Sequence, residues 1–240
     1  MKPQLLETQQ IEAFLSKHLG SDVQEVSPIG RGSWSQAFSF SHSDTDFVAR
    51  FGVHIEDFLK DEVASKFATA DLPVPKVLEV GEALERYFCI SERAYGEMLE
   101  GLPEDKMRET VPAVLRMLDG LRDTDVSSTA GFGLWHADGN APQKSWAEFL
   151  LDVDNETERV HGWHANMAQF PDVVASYDEI LGYLKSHLNQ CPEIRHLLHT
   201  DLLHFNVMVG DGKINAVVDW GNSMYGDFLY ELAAFTFYAP

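Results

Sequence analysis

Asp201, Asn206 and Asp219 are the residues whose types and spacing could do chemistry together. The stretch from His199 through Asp201 to Asn206 reads as a polar loop. Val207-Met208-Val209 follows as a short apolar strand, Asp211-Gly212 as a turn, and Ile214 to Val218 as a second strand ending in Asp219-Trp220. Such a hairpin brings Asn206, at its entrance, and Asp219, at its exit, to one end of the ribbon. An amide oxygen and a carboxylate there suit magnesium, which takes hard oxygen ligands together with phosphate oxygens. Asp201, in the loop feeding the hairpin, is a further carboxylate able to accept the proton of a hydroxyl nucleophile. His199 is taken with Asp201 as the catalytic pair, its share being to bond a backbone carbonyl and fix the loop's shape. A zinc site built from His196, His199, Asp201 and His204 is an alternative. Against it, His196 and His199 face opposite sides of an extended strand.

The elements that must position this hairpin can be traced along the chain. Gln9 to Leu19 carries apolar residues at helical spacing. Val23 to Phe40 has strand character broken by Gly30-Arg31-Gly32-Ser33, and Phe47 to Phe51 is another strand. Phe58 to Ala70 returns to helical spacing and stops before Leu72-Pro73-Val74-Pro75. Val77 to Val80 and Tyr87 to Ser91 are two more strands, and Glu92 to Gly96 is a connector. Beyond it the pattern is mostly helical, clearest at Val111 to Leu121, Trp146 to Val153 and Val173 to Leu188. Gly131 to Gln143 reads as a loop.

His199-x-Asp201-x-x-x-x-Asn206, with Asp219 ending the next strand, resembles the catalytic loop and metal-binding aspartate of kinase-fold enzymes. Asp219-Trp220, where protein kinases usually have Asp-Phe-Gly, and Gly226-Asp227-x-x-Tyr230-Glu231-Leu232-Ala233 narrow the resemblance to the aminoglycoside phosphotransferase family. Ala37-Phe38-Ser39-Phe40, Leu72 to Leu78, Tyr87 to Ser91, Gly131-Phe132-Gly133 and Cys191 to Leu197 carry it along the chain.

That resemblance implies an α+β, two-lobed protein-kinase-like fold. Residues 1–95 would form a small antiparallel-sheet nucleotide lobe, and 96–240 a mainly helical catalytic and substrate lobe. It implies ATP and Mg2+ as cofactors and a cationic aminoglycoside as substrate, hygromycin B first. Gly30, Gly32 and Ser33 would cover the phosphates with backbone amides. Arg50 stands where kinase-fold enzymes usually place a lysine toward the inner phosphates. Glu62 would be its ion-pair partner, with Asp61 and Asp57 as rivals. Ser91 to Ala94, Arg93 included, would offer backbone hydrogen bonds to adenine. Asp227 would brace the catalytic loop or cap the helix beginning at Phe228. Related phosphotransferases continue with further helices, so the resemblance also implies a chain truncated at its C-terminus, with an uncovered apolar face and a tendency to self-associate.

Bulk properties bound these readings. The chain has 240 residues, of which 45% are hydrophobic and 23% charged, an ordinary globular composition with room for a sizeable core. Eighteen Lys and Arg against 38 Asp and Glu give a formal charge of -20, which opposes nucleic acid and anionic membranes and attracts polycations. No apolar run approaches the roughly 20 residues that span a bilayer. The start lacks a signal-peptide core, and two cysteines make no disulfide framework. A cytoplasmic protein is expected. There is no Gly-x-x-x-x-Gly-Lys-Ser/Thr, which excludes a Walker-type loop. Competing readings are a kinase of another sugar, an amino alcohol or a macrolide, a nucleotide-binding fragment without catalysis, and a zinc hydrolase.

Overall fold

A computed structural model describes residues 5–32, 34–157, 160–203 and 205–238. Helix α1 (Thr8–Leu19) buries Ile11 and Leu15, four residues apart on one stripe. They pack on a five-stranded antiparallel sheet in the order β1-β2-β3-β5-β4. Its strands are β1 (Val23–Arg31), β2 (Ser35–His42), β3 (Thr45–Gly52), β4 (Val77–Ala83) and β5 (Arg86–Glu92). Phe38, Phe40, Ala49, Phe51, Phe88 and Ile90 complete this first core. The central strands are covered on both faces, so β2 and β5 carry consecutive buried residues, Phe38-Ser39-Phe40 and Phe88 to Ser91.

Helix α2 (Ile55–Ala64) crosses from this sheet toward the rest of the molecule. It begins three residues before the expected Phe58, with Glu56 and Asp57 in its first turn favouring the helix dipole. It gives way at Ser65–Phe67 to a 3-10 turn rather than running to Ala70.

The second core is larger. It unites α3 (Glu104–Asp123), α4 (Trp146–Leu151) and the end of α2 with the hairpin β9 (Val207–Gly210) and β10 (Lys213–Val217). Ala64 and Leu72 belong to it, so the two cores interleave in sequence before residue 95. The short strand β6 (Glu97–Met98) extends the hairpin into a sheet of order β10-β9-β6. A third small sheet joins β7 (Gly133–Leu134), β11 (Met224–Gly226) and β8 (His196–Leu198). Helices α5 (Trp163–Met167), α6 (Pro171–His187) and α7 (Phe228–Tyr238) complete the chain. Among the described residues no helix is long and apolar enough to cross a membrane.

Helix α3 starts seven residues before the expected Val111 and carries Pro112 within it. The proline removes one helical bond, while burial of Ala113, Val114, Met117, Leu118 and Leu121 on one stripe holds the helix together around it. Gly133–Leu134 forms a strand inside the stretch read as loop, because β11 offers it an antiparallel partner.

Candidate active site

Asp211 and Gly212 both take positive φ, 51° and 67°, which gives the tight hairpin its twist-matched turn. The antiparallel register Val207↔Val217 sets the opposite end of the ribbon. There Val218 N–H donates to Asn206 O at 2.9 Å, so Asn206 and Asp219 emerge side by side. Asn206 Nδ2 donates to Asp201 O at 2.8 Å, which commits its amide nitrogen to the loop and leaves Oδ1 as the group available to a cation.

His199 is fully buried and serves the same framework. Its Nδ1 accepts from Asp201 N–H at 3.3 Å, so the proton resides on Nε2, which donates to Val218 O at 2.9 Å. Burial pushes its pKa down to about 4, leaving the ring neutral. His199 therefore ties the loop to the hairpin through both ring nitrogens. His196 bonds Arg122 O through Nδ1, away from His199, so the two rings do not converge as a zinc site requires. His204 lies outside the described residues.

Glu231, on α7, braces the loop from behind. It is 1% exposed, and its Oε2 accepts from His199 N–H at 2.5 Å and Thr200 N–H at 2.9 Å. Thr200 is left-handed at φ 64°, a conformation that needs such support. Burial raises Glu231 to about 7, the two backbone donors pulling the other way. Asp227 instead caps α7, accepting from Leu229 N–H at 3.1 Å. Glu231 is thus the brace that the sequence reading offered to Asp227, and being buried it is unavailable to a cationic sugar.

A cleft of about 470 Å³ separates the five-stranded sheet from the hairpin. Gly30, Gly32, Arg50, Ser91, Arg93, Asn206 and Asp219 all line it, as does Asp61. Val48, Val74, Met98, Met208 and Val217 give the cleft apolar lining suited to a planar base, alongside its polar groups. Asp201 lies beside the cleft, its Oδ2 accepting from Asn222 Nδ2 at 3.4 Å.

Two expectations need correction. Arg50 pairs with Asp61, not Glu62: its Nη2 donates to Asp61 Oδ2 and to Cys89 Sγ at 3.8 Å. Phe58, Lys60, Asp61 and Ala64 are the buried residues of α2, and Glu62, about 100° further round from Asp61, faces solvent. Burial lowers the Arg50 pKa and Asp61 outweighs it, keeping the guanidinium charged. The second concerns Arg93 and is partial: its N–H is engaged by Asp46 O at 3.3 Å, which leaves its carbonyl as the group able to meet a base. Ser33 lies outside the described residues.

Asp219 faces the cleft from a left-handed backbone, φ 63° and ψ 67°. The protein around it, and then Asp61, raise its carboxyl above the usual range, Arg50 opposing and Asp201 and Asp57 adding to the rise. A divalent cation would relieve that crowding. The Asn206 Oδ1 and Asp219 carboxylate form a donor set that magnesium accepts.

Sequence reasoning missed Asn222, which belongs to no motif. Glu231 stands in the Gly226-Asp227-x-x-Tyr230-Glu231-Leu232-Ala233 motif, but the backbone it holds becomes visible only when the fold turns α7 against the loop.

The profile of the phosphotransferase enzyme family matches residues 25–239. Hygromycin-B 4-O-kinase of Escherichia coli is 35% identical over 241 residues, spanning 100% of this chain and 69% of that protein. A thermostable mutant of aminoglycoside phosphotransferase APH(4)-Ia, solved in ternary complex with AMP-PNP and hygromycin B, superposes with a TM-score of 0.87 at 35% identity. That match covers 95% of this chain and 77% of the other. A second such mutant, in complex with ADP and hygromycin B, gives 0.87 at 33% identity over the same shares. Spectinomycin phosphotransferase, at 12% identity, covers 95% of this chain and 73% of its own, and a TM-score of 0.57 shows a common fold alone.

Proposed function

The chain belongs to the phosphotransferase enzyme family, and from that premise we propose that it transfers the γ-phosphate of ATP to a hydroxyl of hygromycin B. It is an aminoglycoside phosphotransferase with a kinase-like fold, and it binds nucleotide. The observation that carries the substrate is its 35% identity, over its whole length, to a hygromycin-B kinase.

In this reading the base packs on the cleft's apolar lining and the glycine turn at Gly30 and Gly32 covers the phosphates. Arg50, held by Asp61, meets the inner phosphates with a charge that does not titrate near neutrality. Asn206 Oδ1 and Asp219 would hold magnesium, which neutralises charge on the transferring phosphoryl group. Asp201 aligns the acceptor hydroxyl and takes its proton as the oxygen–phosphorus bond forms and the bridge to the β-phosphate breaks. His199 and Glu231 keep Asp201 in place. The net charge of -20 draws in a polycationic acceptor and disfavours nucleic acid and anionic membranes as partners. We place the protein in the cytosol, where ATP is supplied.

Incubation with radiolabelled ATP, Mg2+ and hygromycin B, beside a panel of other aminoglycosides, amino alcohols and macrolides, tests this directly. Label is expected on hygromycin B. Label only on another acceptor would replace the substrate, and nucleotide binding with no transfer to any acceptor would reduce the chain to a binding module.

A further inference from the structure

Helix α2 carries a buried cation that the mechanism above leaves unused. Lys60 is 4% exposed. Its Nζ donates to Gly221 O at 2.6 Å and to Ser223 O at 3.4 Å, and lies 5.0 Å from the centre of the Trp135 ring. The next residue, Asp61, accepts from Trp220 N–H at 3.0 Å. Two consecutive side chains of one helix therefore grip the turn 220–223, one as donor and the other as acceptor.

That turn begins immediately after Asp219, whose left-handed backbone is strained and persists only where neighbours hold it. A first side-chain carbon on Gly221 would lie 3.6 Å from Asp219 Oδ1, so the peptide that Lys60 holds is also the floor beneath that carboxylate. Burying an ammonium is costly, and packing alone would be served as well by an apolar chain of the same length. An ammonium carries three donors and so can hold two fixed carbonyls at once, which an apolar chain cannot.

We propose that Lys60 is a positioning residue for the metal-binding end of the hairpin: by fixing the 221 and 223 carbonyls it sets where Asp219 presents its oxygens to Mg2+. The inference rests on the phosphotransferase reading in taking Asp219 as a magnesium ligand. Outer partners of metal ligands are typically worth about 10- to 100-fold in metal affinity.

The test titrates ADP calorimetrically into the whole chain at stepped Mg2+, with no acceptor present. For Lys60→Met, the Mg2+ giving half the tightening of ADP is expected to rise about tenfold or more, with metal-free ADP affinity unchanged. In turnover, kcat should fall while KM for hygromycin B holds. Trp135→Phe keeps both carbonyl bonds and should alter Tm without moving the Mg2+ requirement. A folded Lys60→Met with lowered Tm and the original Mg2+ requirement would overturn the proposal, since that is what a purely structural lysine gives. If Lys60→Met does not fold, Lys60→Gln, which keeps a donor and loses the charge, carries the test, and an unmoved requirement again overturns it. An unaltered protein that binds ADP tightly with Mg2+ but phosphorylates nothing defeats the transferase reading and leaves this one standing. ADP binding indifferent to Mg2+ in the unaltered protein overturns this one.

Discussion

The role proposed for Asp201 depends on position, since a carboxylate accepts the proton of an alcohol only when the hydroxyl is held against it. Asp201→Ala should keep ATP affinity and lose about 100-fold or more in kcat. Full residual transfer, measured by product formation at saturating ATP, would refute that role. The Arg50 partner gives a contrast between adjacent residues. Asp61→Ala leaves the half-buried Arg50 guanidinium and the buried Trp220 N–H without their acceptor and should cost about 1–3 kcal/mol, whereas Glu62→Ala should stay within about 0.5 kcal/mol. Urea midpoints for the two variants decide it. Glu231 adds a pH signature. Its pKa of about 7 exceeds the ordinary 4.5, so between those values the folded state holds a proton that the unfolded chain releases. That contribution is complete below pH 4.5 and is lost as pH rises through about 7. Glu231→Gln, which preserves an acceptor for the two backbone donors, should gain Tm relative to the unaltered protein as pH rises across this window. A gap independent of pH would contradict the buried, protonated carboxyl.

At the scale of elements, the connector is the most exacting. Gly96 has φ 152°, and a side-chain carbon there would approach Val209 O to 2.5 Å. Only glycine lets the chain pass β9 closely enough to leave as β6. Gly96→Ala should destabilise by about 1–3 kcal/mol and weaken nucleotide binding, because Gly96 also lines the cleft. Thermal unfolding with and without ADP measures both effects. On one side of this connector β5 was legible as an apolar run, and α1 was legible from helical spacing; β6 was not, because its two residues carry no pattern of their own. The start of α3 was not, because Pro112 reads as a boundary until tertiary burial of the helix on either side of it outweighs the missing bond.

For the whole molecule, two exposed apolar surfaces stand out. On α7, Leu229 and Phe237 are 65% and 80% exposed, and on α6, Ile180 and Tyr183 are 68% and 67% exposed. Apolar surface of this kind favours association. We expect concentration-dependent self-association in sedimentation, and a monomer at every concentration would count against it. Ligand binding should act on the molecule as one body, because Asp61 ties the cleft's sheet side to Trp220 on its hairpin side.

The sequence by itself determined the chemistry: an acid, an amide and a second acid at fixed intervals on a hairpin whose turn and strand lengths are local properties. Kinship followed from the same residues. Tertiary structure alone decided which acid meets Arg50, which one braces the catalytic loop, and which histidine is neutral. Those outcomes depend on which face of a helix is buried and on how far water is excluded, and both are set by elements far away in the chain.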